Sequence, residues 1–318
     1  MIQSVWLIPM LPLLGVIINL FFGEMLPRKL SAWLATLLVG IGALLSAGII
    51  FEITGHPDFH GETISLYRWI TVGDFSVNIA FYVDQLSALM LMVVTGVGFL
   101  IHMYSIGYMD HDKSFNRFFA WLSAFVFSMM ILVMSDNFAG LFIGWEGVGL
   151  CSWGLIGFWY HKEDKAKSKD VYTSPYSTLS PYSSISPSYA ANEAFIMNRV
   201  ADLGMLVGIF LIYWNLGSLQ YDVVFANVGN LSHGIIISIA VFLFIGAMGK
   251  SAQFPFNQWL ANAMEGPTPV SALIHAATMV TAGVYMVARF GFLYNEIPSV
   301  GEFIAIIGIT ATVTSAIG

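Results

Sequence analysis

Five ionisable residues stand in stretches otherwise apolar enough to sit in lipid: Glu146, Arg199, Asp202, Lys250 and His275. A charged side chain near the bilayer centre costs about 2.5 to 3.5 kcal/mol on insertion scales, so each position reads as functional by default. The chemistry open to such a set is proton exchange. An amine and a carboxylate shielded from water titrate as a pair, and an imidazole changes charge near neutrality. Lys250 lies in VFLFIGAMGKSAQFPFNQWLANAMEGPTPVSALIHAA, residues 241–277, and Pro255 follows it five positions on. That proline removes a backbone donor and breaks the helix, leaving carbonyls that need water or a protein partner. A helix break beside a buried amine predicts an ion path; the competing expectation is a lysine near a helix end whose amine snorkels to the headgroups.

Glu146 sits in GLFIGWEGVGLCSWGLIG, where the repeated glycines allow a neighbouring helix to come close and bring a charge within reach. Lys250 is the expected partner. Arg199 and Asp202, three residues apart on one helix, are expected to pair with each other. His275 is placed to relay a proton from Lys250 at the opening of a following helix. His102 and Asp84 are weaker candidates, the first near a helix end and the second as a cap or anchor. Gly249-Lys250-Ser251 resembles the end of a phosphate-binding loop, but that motif needs a glycine at 244, where Phe stands. A single cysteine, Cys151, excludes an intramolecular disulfide and offers no haem or iron–sulfur spacing, so neither a redox centre, a cofactor nor a metal is expected in this chain.

These residues must be held by membrane helices. The 318 residues are 57% hydrophobic and 10% charged, whereas a soluble domain carries about 25% charged residues. Apolar runs of about 20 residues fall near 4–23, 30–53, 79–107, 115–135, 137–159, 191–215, 234–262 (the broken seventh) and 270–294, with a ninth beginning near 301. The expected fold is an all-α polytopic helix bundle of about nine helices. Basic residues set its orientation: Arg28, Lys29, Lys113, Arg117, Lys162, Lys165, Lys167 and Lys169 fall in one set of loops, against Arg68 and Arg289 in the other. The N-terminus is therefore expected outside. Residues 54–78 read as a short external hairpin turning at Gly73-Asp74, with His56 and His60 solvated rather than metal-bound. Residues 170–190 repeat Ser-Pro every six positions, a low-complexity insertion expected in a cytoplasmic loop. The last apolar run stops at Gly318 without a polar tail, so the chain is expected to be the front portion of something longer.

GWEGVGLCS at 144–152, VTGVGFLIHMYSIGYM at 94–109, NRVADLG at 198–204 and GKSAQFPFNQWLANAMEGPTPVSALIHAATMVTAGVY at 249–285 closely resemble the NuoL (mitochondrial subunit 5) family of respiratory complex I. The resemblance implies an antiporter-like, proton-translocating subunit of NADH:quinone oxidoreductase, in a bacterial cytoplasmic (inner) membrane or a mitochondrial inner membrane. Its implied partners are neighbouring antiporter-like subunits of the membrane arm and the lipid bilayer, with no nucleic acid. It implies three leading helices in 1–113, a first five-helix repeat in 114–294 and the start of a ninth helix in 295–318, truncated after that repeat. By motif, Glu146 matches the family glutamate of the fifth helix, Lys250 the lysine of the broken seventh and His275 the histidine of the eighth. Arg199 and Asp202 match the polar pair of the sixth. The chain departs from the family at Glu193, where members carry a basic residue, and in the Ser-Pro insertion. Two other readings remain open: an Mrp-type sodium/proton antiporter subunit, which shares the lysine and the broken helix, and an inactive fragment.

Overall fold

A computed structural model describes residues 2–56, 58–73, 75–162 and 185–317. Among them, nine helices are long and apolar enough to cross a membrane: Ile2–Phe22, Arg28–Thr54, Gln85–Tyr108, Phe115–Met134, Phe138–His161, Pro187–Leu216, His233–Lys250, Thr268–Arg289 and Pro298–Ala316. They are called the first to ninth spans here. Helices satisfy their backbone internally, which makes them one of the few structures that lipid tolerates. The chain is thus a multi-pass membrane protein, as its apolar runs imply. Residues 170–184 of the Ser-Pro insertion lie outside the described residues. Its last residues open the sixth span, where the Ser186 side chain accepts a hydrogen bond from the Tyr189 amide and Pro187 takes the first helical position.

The third span starts later than its apolar run. Residues expected to begin a helix at 79 instead form strand β2 (Phe75–Val83), antiparallel to β1 (Glu62–Val72), so the hairpin turning at Gly73 reaches beyond 78. The run from Ser76 to Val83 alternates small or polar residues with apolar and aromatic ones, a strand pattern that hydropathy averaging over a long window hides. Asp84 then caps the helix: its carboxylate accepts from the Ser87 amide while the Ser87 hydroxyl accepts from the Asp84 amide.

The fourth span is the axis of the bundle, with 72% of its most apolar window buried against 33% for each of the first two spans and 6% for the ninth. Close packing beside it depends on missing side chains. A Cβ on Gly144 would stand 2.3 Å from the Leu132 amide nitrogen of the fourth span, and one on Gly249 would stand 2.4 Å from the Ala201 Cβ of the sixth. Those two approaches seat the fifth span on the fourth and the seventh on the sixth.

Two spans are interrupted. The seventh ends at Lys250, not at Pro255; the chain turns through Ala252 at a φ of +50° and resumes as a short helix, Gln258–Asn262. The eighth runs from Thr268 to Ala272, widens into a π turn at Leu273–Ala277, and continues from Met279 to Arg289, so His275 lies inside an interruption. At the joint, the Thr278 hydroxyl donates to the Leu273 carbonyl (2.6 Å) and the Ser251 hydroxyl to the Val280 carbonyl (2.8 Å). The second of these bonds ties one break to the other.

Candidate functional site

Lys250 is the last residue of its helix and is only 1% exposed. The carbonyl end of a helix carries partial negative charge, which favours a cation there. Being at a helix end does not take the amine to the surface: Nζ lies 3.5 Å from Asp202 Oδ2, inside the bundle. Asp202 comes from the sixth span and has its other oxygen occupied, since Trp145 Nε1 of the fifth span donates to Oδ1 at 2.6 Å. The same indole passes 5.8 Å, ring centre to nitrogen, from the lysine amine. Gly149, one turn from Trp145, leaves the room in which the amine sits, for a Cβ there would come within 2.8 Å of Nζ. Behind the amine, Trp259 of the resumed helix donates to the Gly249 carbonyl at 3.1 Å, satisfying part of the broken backbone.

The remaining charges pair differently from the sequence expectation. Glu146 Oε2 bonds Arg199 at 2.7 Å, not Lys250, and Arg199 therefore does not pair with Asp202. The reason lies in the rotation of the fifth span. Successive residues on a helix diverge by about 100°, so Trp145 reaches Asp202 while Glu146 reaches Arg199. A pair on one exposed helix face contributes only about 0.2 to 0.5 kcal/mol, whereas a fully enclosed ammonium requires a counter-ion. Asp202 accordingly faces the lysine. Arg199 is 48% exposed on its side chain and lies over the Phe195 ring at 4.9 Å, so this second pair opens toward the lateral surface of the bundle.

His275 is half-buried in the π turn, and its Nε2 is enclosed without a hydrogen-bond partner among the described residues. The same is true of Glu146 Oε1, Asn198 Oδ1 and Gln253 Oε1. Asn198 lies against Gly249, and Gln253 is in the break itself. Buried polar atoms without partners are uncommon, and two of these, on Asn198 and Gln253, adjoin the break that follows Lys250. His102 is fully buried between the third and fourth spans, with Nδ1 against the Gly98 carbonyl (2.8 Å) and Nε2 against the Ser123 hydroxyl (3.3 Å). Sequence reasoning missed two participants, Trp145 and Trp259, and marked Glu193 only as a departure from the family; its carboxylate accepts from Asn262 of the resumed helix at 2.6 Å. An indole in an apolar run reads as packing, and only the adjacency of Trp145 to Glu146 could have drawn notice.

A family profile described as NADH-Ubiquinone oxidoreductase (complex I), chain 5 N-terminus, matches residues 69–119, and one described as NADH:quinone oxidoreductase/Mrp antiporter, TM, matches residues 178–318. NADH-quinone oxidoreductase subunit L of Campylobacter jejuni is 52% identical over 89% of this chain and 42% of that one. Over most of its length the chain is similar to the subunit L / subunit 5 family of complex I. In that family, subunit L of Mycobacterium tuberculosis is 42% identical over 98% of this chain and 46% of its own length. NAD(P)H-quinone oxidoreductase subunit 5 of the Paulinella chromatophora chromatophore is 40% identical over 100% and 45%. The chain thus spans a little under half the length of the curated relatives it matches. Among solved structures, a chain of the Mrp complex from Dietzia superposes with a TM-score of 0.73 at 26% identity, over 93% of this chain and 29% of that one. A chain of an archaeal membrane-bound sulfane sulfur reductase shares the fold, with a TM-score of 0.77 at 17% identity.

Proposed function

We propose that the chain acts as a proton-translocating membrane subunit of an NADH:quinone oxidoreductase, beside other antiporter-like subunits of the membrane arm, while redox chemistry and its cofactors reside in other chains. The observation that carries the reading is the enclosed Lys250–Asp202 pair at a helix break. At an effective dielectric of 20, two unit charges about 4 Å apart attract by about 4 kcal/mol, and doubling the separation halves that. A displacement of a few ångströms between the sixth and seventh spans therefore decides how firmly Nζ keeps its proton. The Glu146–Arg199 pair, open at the side of the bundle, is where a neighbouring subunit can pull on that arrangement. His275, in the adjoining break, takes the proton onward. Basic residues in alternate loops support an outer N-terminus in a bacterial cytoplasmic membrane, or in a mitochondrial inner membrane if organellar. Residues 114–294 serve as one antiporter-like repeat behind three leading helices.

The test is Lys250→Ala and Asp202→Asn in the full-length protein within its assembled complex, followed by NADH-driven proton uptake in inverted vesicles. The expected result is fewer protons moved per NADH with normal NADH:ferricyanide activity. Unchanged stoichiometry in both variants overturns the proposal. The likeness to the Dietzia Mrp chain favours one second reading, a sodium/proton antiporter subunit; proton movement driven by an imposed sodium gradient, without NADH, would support it instead.

A further inference from the structure

The geometry points to Trp145 as a positioning residue that holds the Asp202 carboxylate off the Lys250 amine and so keeps the buried pair loose enough to exchange a proton. This rests on the proposed role of that pair. Trp145 is fully buried on the fifth span, and its N–H bond to Asp202 Oδ1, at 2.6 Å, is shorter than the 3.5 Å from the other oxygen to Nζ. Charge-assisted ammonium–carboxylate bonds normally close to about 2.7 to 2.9 Å. Here the carboxylate has closed on the neutral indole instead. An indole N–H is a donor only, so Trp145 cannot carry the proton itself. Its effect is exerted through Asp202, by fixing the rotation of the carboxylate, while the ring face, 5.8 Å from the amine, keeps weak hold of the cation. Gly149 completes the arrangement, because its missing side chain lets the amine stand back. Trp145 also adjoins Glu146 in the chain, so a movement of the fifth span caused at the Glu146–Arg199 pair is passed to Asp202, the partner of the lysine, through this bond.

The experiment uses Trp145→Phe, which keeps an aromatic face and removes the donor, in the complete complex, alone and combined with Asp202→Asn. A second variant replaces Trp145 by benzothienylalanine, the same shape with sulfur in place of N–H, so that a packing defect cannot imitate the result. The expected outcome is normal assembly and ferricyanide activity, with a drop of about tenfold in the proton uptake that depends on Lys250, the scale of one hydrogen bond to a charged group. In the Asp202→Asn background neither replacement changes uptake further. Effects that add to that of Asp202→Asn, or unimpaired uptake in the benzothienylalanine protein, overturn the inference while the role of the pair stands. If Lys250→Ala and Asp202→Asn themselves leave uptake unchanged, the role of the pair fails, and this inference with it.

Discussion

Asp84 was legible as a cap, but its second role was not. Besides capping the third span, it receives both terminal nitrogens of Arg289, at 2.5 and 2.9 Å, from the far end of the eighth span. Tyr285 joins them, accepting from Arg289 Nε and donating to the Val133 carbonyl, so one cluster clamps three spans. Burial pushes the Asp84 carboxyl up, but the Arg289 guanidinium and the Ser87 bonds outweigh it and hold it below the ordinary carboxylate range. A depressed folded value stabilises above the unfolded pKa, about 3.9, and that stabilisation is lost as pH falls through the folded one. The purified protein in detergent should therefore keep this contribution down to about pH 4 and lose it on further acidification. Asp84→Asn should melt lower at neutral pH, by about 3 to 5 kcal/mol of stability for a broken buried pair, and lose that acid-limb dependence. Thermal denaturation between pH 7 and 3 checks both. At the amine itself, a Cβ at 149 would meet only Nζ, the movable end of a flexible side chain. Gly149→Ala should leave the melting temperature close to that of wild type yet reduce proton uptake, a split that thermal denaturation and vesicle assays would measure together.

The elements were legible where length and hydropathy decide them and illegible where a helix is interrupted without proline. Pro255 announced a break, but the helix already ends at Lys250, because the turn before a proline cannot close its bonds. The break in the eighth span has no such mark: LIHAATMV is apolar and helix-compatible, and its π turn depends on the Thr278 and Ser251 bonds, which only the packed neighbours supply. The fourth and fifth spans provide a sharper test of packing. Where the extra methyl of Gly149→Ala meets a movable end, that of Gly144→Ala meets the backbone of Leu132 at 2.3 Å. The two helices would have to separate, an overpacking cost of about 1 to 3 kcal/mol. Reduced amounts of folded protein in the membrane, and a lower melting temperature, are expected; wild-type values would show that the two helices do not approach as closely as described.

For the whole molecule, the sequence revealed that a membrane bundle would carry five ionisable groups within its spans, yet neither how they pair nor that Arg199 opens to the surface. Span number follows from apolar length, and each charge could be assigned to its span. Pairing depends on the rotation of one helix against the next, which repeated glycines permit without specifying, and so Glu146 and Asp202 exchanged their expected partners. The fifth span, which carries both Trp145 and Glu146, also carries the single cysteine, and this makes its integrity measurable. Cys151 is 4% exposed, packed against the fourth span with Ser128 at 4.0 Å. A thiol-reactive fluorogenic dye should therefore leave the folded protein unlabelled and react in one cooperative step on heating, reporting the separation of the fourth and fifth spans. Asp84→Asn and Gly144→Ala should both bring that step to lower temperature, since one loosens the clamp at the end of the bundle and the other the packing beside Cys151. Agreement of their midpoints with those from tryptophan fluorescence would show that the bundle unfolds as one unit. Prompt labelling at room temperature would mean that the fifth span is not packed as described, and the geometry of the Trp145–Asp202–Lys250 site would fail with it.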